Sequence, residues 1–320
     1  MLVLSDRDLG KLLVPEELIS AVEAAARQYE EGRAVVPRRL HLEWNGNTLL
    51  AMPAATADAV GTKLVSVVPD NALRDFPVTN GLMILNDAQT GLPLAILNGA
   101  ALTARRTGAV GAMGVKHMTP SDLDSVGLIG VGVQGTWQAI FTCKVRPIRE
   151  VFYVCRSAEG GDRFCAALRE HAPNVKVIRC TSAEELLSRT NLIIAATPAR
   201  EPVLPNEPRL LEGKHFVSVG SFRPTMQELP DSVYRLARAL VIDSEFARHE
   251  VGDVIGPIER GILTAADVFF VGKLVTGQRS VDIHGTTAYK SAGMALYDLV
   301  VAQVAYAAAK LRGVGRELEL

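Results

Sequence analysis

The sequence predicts an α/β protein in two parts, a doubly wound parallel sheet and a strand-rich α+β portion. Three observations predict it. From about residue 124 onward, short apolar strand-like runs alternate with helical patterns, the signature of a parallel sheet with crossover helices. A glycine loop, Gly130-x-Gly132-x-x-Gly135, stands between the first of those strands and the first helix. The residues before it carry several short strand-like runs in series, the pattern of an antiparallel sheet or partial barrel.

In chain order, Pro15 opens a helical stretch in which Leu18, Val22, Ala25 and Tyr29 recur at helical spacing. The runs RRLHLEW, NTLLAMPA, GTKLVSVVPDN, GLMILND and LPLAILNG follow, separated by turn pairs such as Asn45-Gly46 and Thr90-Gly91. Then VGLIG leads into helix TWQAIFTCK, and EVFYVC leads into GDRFCAALREH. VKVIRC leads into AEELLSR, with a capping-box pattern at Thr181-x-x-Glu184. Strands NLIIAAT, HFVSVG and ALVIDS come next. The run from Thr286 to about Leu311 reads as one long, Ala-rich helix, apolar enough to be buried on most sides.

The 320 residues suit one large or two ordinary domains. Hydrophobic residues are 48% and charged residues 22%, ordinary for a globular protein. A net charge of −1 gives no electrostatic case for nucleic acid or an anionic membrane. No apolar run approaches the roughly 18 residues of a spanning helix, and MLVLSDRDLGKLL lacks the pattern of a signal peptide. Cys143, Cys155, Cys165 and Cys180 show no CxxC spacing, so free thiols and a cytoplasmic setting are expected.

The glycine loop has the context that makes this motif specific: strand before, helix after, and a βαβ pattern beyond. Gly130 permits the tight turn and Gly132 lets the backbone approach a pyrophosphate. Gly135 packs the helix on the sheet, and the helix N-terminus supplies N–H donors. This predicts a Rossmann dinucleotide site. The next strand ends in Arg156-Ser157 where an acid would hold ribose hydroxyls, which points to the 2′-phosphate of NADPH, with NADH as the alternative. Thr197, Val219 and Ser221 fall at C-terminal strand ends, where such sheets bind their ligand.

Three cations stand out around the strand-rich part. Lys63 alternates onto the face of Val65 and Val67. Arg106 shares a helical stripe with Leu102, Val110 and Met113. Arg39 shares a face with His41 and Glu43, which a solvated strand would also explain. Spacing leaves two readings open: a clamp for a substrate carboxylate, or internal salt bridges to residues such as Asp70, Asp75 or Asp87. Arg105 competes with Arg106, on a stripe of small residues. His249-Glu250-x-x-Asp253 matches no zinc spacing and no metal is expected; no Gly-x-Ser-x-Gly element is present.

Taken together, VPRRLHL, GTKLVSVVPDN, GLMILNDAQTGLPLAILNG, ALTARRTGAVGA, GLIGVGVQG, SVGSFRPTMQELP and KSAGMALYDL resemble the ornithine cyclodeaminase and mu-crystallin family along nearly the whole chain. The resemblance implies a homodimer of two-domain subunits. Residues 1–115 with 286–320 would form the substrate-binding and dimerisation domain, and 116–285 the Rossmann domain. It implies Arg39 and Arg106 as carboxylate ligands and Lys63 as the active-site lysine. Gly130, Gly132, Val133 and Gln134 would meet the pyrophosphate, and Arg156 and Ser157 the ribose phosphate. Thr79, Thr107, Thr197, Val219, Ser221 and Ser291 complete the implied cofactor set.

One position departs from the cyclodeaminases. Their Gly-Gly-Asp-Cys-Pro pattern reads Gly220-Ser221-Phe222-Arg223-Pro224 here, so the carboxylate that handles the substrate amine is Phe222. The resemblance therefore favours the family's reductases of cyclic imine carboxylates. Alanine dehydrogenase-like reductive amination follows, then ornithine cyclodeamination, and a non-catalytic, mu-crystallin-like binding protein.

Overall fold

The computed structural model describes residues 1–74 and 76–319, the side chain of Ala72 excepted. The chain divides into two compact units, Met1–Arg106 with Met294–Leu320, and Thr107–Gly293.

The first unit is built on one sheet. Its strands are β1 (Leu2–Leu4), β2 (Leu40–Trp44), β3 (Asn47–Ala55), β4 (Ala59–Val67), β5 (Thr79–Asp87) and β6 (Pro93–Asn98). β2 to β6 form an antiparallel meander, β1 adds in parallel beside β6, and a short C-terminal strand, Arg316–Glu317, pairs with β1. Alternation puts Ala59, Gly61, Lys63 and Val65 of β4 on the buried face and Leu64 on the exposed one. Helix Ala295–Arg312 covers the buried face by packing on β3, β4 and β5, and helix Pro15–Glu30 packs on it in turn. Leu296, Leu299, Val301, Ala302 and Ala305 are buried there, against Leu18, Val22 and Ala25. Pro15 occupies the first helical turn, where its missing N–H leaves no bond unmade.

The second unit is a fully parallel sheet. Its strands are β7 (Ser125–Ile129), β8 (Glu150–Val154), β9 (Lys176–Arg179), β10 (Leu192–Ala195), β11 (His215–Ser218), β12 (Leu240–Ile242), β13 (Val268–Phe270) and β14 (Thr287–Lys290). The order is β13-β12-β14-β11-β10-β7-β8-β9. The chain runs outward from β7 through β8 to β9, then returns to β10 on the other side. That reversal, between β7 and β10, is the switch point where such sheets bind ligands. The core gathers Ile129, Leu186, Ile193, Phe216, Leu240 and Val254, all buried.

Helix Gly99–Met118 runs out of the first unit into the second. Its glycines at 108, 111 and 114 allow close approach: a Cβ at Gly114 would lie 2.3 Å from the Tyr289 ring, and one at Gly111 1.8 Å from Gln138.

Two sequence expectations need correction. The run from Thr286 is not one helix. Residues Thr287–Lys290 form β14, wholly buried between β11 and β12, and the helix starts at Ala295. Four residues, Thr-Ala-Tyr-Lys, are too few for a period of two to stand apart from the helical pattern that follows. The helix at 183–189 is capped by Ser182, whose hydroxyl accepts from Glu185 N–H, while Thr181 bonds the Glu185 carboxylate. The cap is thus one residue later than the pattern suggested. All four cysteines are free thiols. Among the described residues, no helix is long and apolar enough to cross a membrane.

Candidate active site

In the first unit, three remote segments bring charge together inside the core. Lys63 occupies the inward row of β4 between its cross-strand neighbours Met52 and Met83 and is 2% exposed. Its ammonium donates to Asp298 Oδ1 at 2.8 Å and to Thr103 Oγ1 at 3.3 Å. Arg106, 6% exposed, donates through Nε to the same Asp298 oxygen at 3.0 Å. Asp298 is fully buried, and its Oδ2 has no hydrogen-bond partner. Two buried cations therefore share one carboxylate, and a positive charge is left over in a place where unpaired charge is costly.

Burial pushes the Lys63 ammonium down to about 8, Asp298 opposes that, and the Arg106 and Arg39 charges add to it. Arg39 is half-buried just before β2, close enough for its charge to act on Lys63. The neighbouring face of His41 and Glu43 is exposed, as a solvated strand would be.

Of the salt-bridge partners weighed from sequence, Asp87 caps its own turn by accepting from Gln89 N, Thr90 N and Thr90 Oγ1. Asp70 is exposed and Asp75 lies outside the described residues. The partner is Asp298, which sequence reasoning missed. It is the one acid of the apolar helix Ala295–Arg312, and that isolation was the available signal. Arg105, on helix Gly99–Met118, pairs with Asp6 at 3.1 Å.

In the second unit, Gly130 has φ +88°, a conformation side chains other than glycine rarely adopt, and Gly135 lies against the Gly130 carbonyl. A Cβ at Gly132 would meet nothing within 4 Å, so the loop presents open backbone at the N-terminus of helix Val133–Val145. Gly132 caps that helix without a side-chain bond, leaving its first N–H groups for a ligand. Gln134 Oε1 is buried without a partner. Val133 is exposed beside it. These residues fit a dinucleotide pyrophosphate.

Arg156 is exposed after β8, and Ser157 Oγ accepts from Gly160 N–H as the N-cap of the next helix. Thr79 begins β5 in the first unit. Thr107, the first residue of the second, is buried and its carbonyl accepts from Gln138. Val219 continues β11 by bonding the Ala195 carbonyl. The hydroxyls of Thr197, Ser221 and Ser291 turn inward, onto Glu228, Asp253 and Asp243 respectively. His249 is exposed while Asp253 is fully buried, and among the described residues no cluster of three or more His, Cys, Asp or Glu could hold a metal.

The family model for the ornithine cyclodeaminase/mu-crystallin family matches residues 1–312. A Δ1-pyrroline-2-carboxylate reductase of Bacillus cereus is 34% identical over 329 aligned positions, covering 100% of both chains. The solved Δ1-pyrroline-2-carboxylate reductase of Thermococcus litoralis, in complex with NADH and L-proline, is 32% identical. It superposes with a TM-score of 0.93 over 99% of this chain and 100% of its own. An archaeal alanine dehydrogenase dimer with bound NAD gives a TM-score of 0.91 at 28% identity, over 100% and 99% of the two chains. With the family model matched over residues 1–312 and relatives aligned along the whole chain, the chain belongs to the ornithine cyclodeaminase/mu-crystallin family.

Proposed function

We propose that the protein, an oxidoreductase of this family, reduces the C=N bond of a cyclic imine carboxylate: Δ1-pyrroline-2-carboxylate to L-proline, and the six-membered Δ1-piperideine-2-carboxylate to L-pipecolate. The observation that carries the proposal is the excess positive charge around Asp298, which a substrate carboxylate would neutralise. The reductase and the proline complex among the relatives support the ring.

Arg106 and Arg39 would hold the carboxylate, for which the guanidinium fork is suited. A reduced dinucleotide held by its pyrophosphate at the glycine loop would supply the hydride. The ring nitrogen of a cyclic imine is basic, and its protonated form is already a good electrophile. What remains for the chain is to fix the ring and supply a proton, and Lys63, held at about 8, can give one near neutral pH.

The cofactor reading is NADPH, supported by Arg156 in the position of the usual ribose-binding acid. The assembly reading is a homodimer. Leu40, Leu42, Leu64 and Leu82 leave the outer face of the first unit's sheet apolar and exposed, and a second copy is the occupant that suits a self-complementary sheet face. A related dehydrogenase is described as a dimer.

The deciding assay is NADPH oxidation on adding Δ1-pyrroline-2-carboxylate to the purified protein. Rapid turnover is expected, and Arg106→Ala should lose about 2–5 kcal/mol of kcat/KM with little change in NADPH affinity. Turnover of pyruvate with ammonia instead would make it an alanine dehydrogenase. The pH profile of kcat/KM, which reports the free enzyme, should fall above about pH 8 as Lys63 loses its proton. Asp298→Asn removes the carboxylate that keeps Lys63 protonated, so this limb should move to lower pH; a limb set by the imine's own titration would stay in place. Arg156→Ala should lower the preference for NADPH over NADH, and an unchanged ratio would leave Arg156 as a loop charge. Sedimentation should give a dimer; a monomer at micromolar concentration would refute the sheet-face reading.

A further inference from the structure

The loops at the C-terminal ends of β10, β11 and β14 are fastened by one buried acidic network. Glu228 is fully buried in the segment after β11. Its Oε1 accepts from Thr197 N–H at 2.6 Å and Thr197 Oγ1 at 2.9 Å. Its Oε2 accepts from Ser218 Oγ at 2.8 Å, Gly220 N–H at 2.7 Å and Ser221 N–H at 3.2 Å. One carboxylate thus gathers donors from the ends of two neighbouring strands. The approach is tight enough that a Cβ on Gly220 would lie 2.1 Å from the Thr197 carbonyl oxygen.

Asp253, also fully buried, holds Glu228 in place. It accepts from the backbone N–H of Glu228 at 3.0 Å and of Leu229 at 3.1 Å, and from the hydroxyls of Tyr234 at 2.7 Å and Ser221 at 2.5 Å. Lys290, at the end of β14, donates to Ser218 Oγ at 3.0 Å and stands 3.9 Å from Asp253 Oδ2. Carboxylates that accept several charge-assisted bonds hold geometry far more firmly than single neutral bonds.

These loops belong to the second mononucleotide half of the sheet. A dinucleotide laid across the switch point puts its adenosine side over β7, β8 and β9 and its nicotinamide side over β10, β11 and β14. With the Thr197 and Ser221 hydroxyls engaged inward, what these loops offer a ligand is backbone shape. We infer that Glu228 is a positioning residue for the nicotinamide half of the cofactor, acting through the backbone at Thr197 and Gly220–Ser221. The inference rests on the dinucleotide reading above.

Glu228→Gln tests it. The amide brings N–H groups to a place lined by donors and leaves at least one of them unsatisfied. NADH and ADP-ribose are titrated by calorimetry into wild type and variant, and thermal stability is read beside them. ADP-ribose keeps the adenosine and pyrophosphate contacts and lacks the nicotinamide. The expected result is NADH binding roughly tenfold weaker and ADP-ribose binding within about twofold of wild type. Equal weakening of both ligands would mean that Glu228 only braces the unit, and unchanged NADH binding would mean that it positions nothing; either overturns the inference. If wild type binds neither ligand, the titrations are repeated with NADPH and 2′-phospho-ADP-ribose, to which the same outcomes apply; if those do not bind either, the dinucleotide reading fails first and takes the inference with it. Should Glu228→Gln not fold, Thr197→Val removes one donor to the same carboxylate. A smaller, NADH-selective loss is then expected, and no loss overturns the inference.

Discussion

Asp298 accepts from Lys63 and Arg106 through a single oxygen, and everything about the first unit's site follows from that shared bond. Two buried cations cannot stand side by side without a counter-charge, because the interior neither solvates them nor screens their repulsion. The carboxylate that relieves them comes from a helix nearly two hundred residues away in sequence from Arg106, laid across β3, β4 and β5. Lys63 faces inward only because the β4 register puts it in the row of Gly61 and Val65. The trio therefore exists only once sheet and covering helix are both formed. It sets two buried cations against one carboxylate, the imbalance on which the proposed carboxylate site rests.

The second unit solves the reverse problem. Glu228, Asp243 and Asp253 are all buried, with Lys290 as the cation among them. Here the carboxylates are stabilised by the N–H and O–H groups of strand ends. Asp243, for instance, takes Ser291 Oγ, Ala292 N–H and Gly293 N–H. Loops that leave parallel strands carry backbone donors with no ladder to join, and a buried carboxylate is the most compact way to satisfy several at once. The two buried cations of the first unit share one carboxylate; the carboxylates of the second outnumber Lys290 and are satisfied instead by N–H and O–H donors, which suits them to holding shape.

Lys63 and Arg106 were legible in the sequence because a charge at an apolar position breaks a pattern with a known period, and both positions are buried as that period requires. Arg39 broke no pattern, and spacing could not separate it from a solvated face. Asp298 was hidden because β14 and the last helix merged into one apolar run, which blurred where the helix begins. An acid in a first helical turn is also ordinary dipole chemistry. The parallel sheet and the glycine loop were readable from local order alone. The direction of the Thr197, Ser221 and Ser291 hydroxyls was not, since a strand end fixes where a residue sits but its partners, Glu228, Asp253 and Asp243, lie in other segments.

The proposed chemistry also accounts for what the site lacks. On the family resemblance, Phe222 would stand where a cyclodeaminase carries its aspartate; it is 45% exposed in the segment after β11, with Arg223 over its ring. Oxidising an amine requires that a proton be drawn from it, and a carboxylate at that position would serve. Reducing a cyclic imine runs the proton the other way. The substrate arrives with its nitrogen basic and its carbon electrophilic, so the demands are an anchor for the carboxylate and an acid of moderate strength. Burial lowers the Lys63 ammonium from its ordinary value to about 8, while Asp298 keeps it from falling further. An ammonium tuned to that range is still charged at neutral pH, yet gives up its proton far more readily than an exposed lysine. On the proposed function, the absent base and the lowered lysine serve one end, adding hydride to an imine.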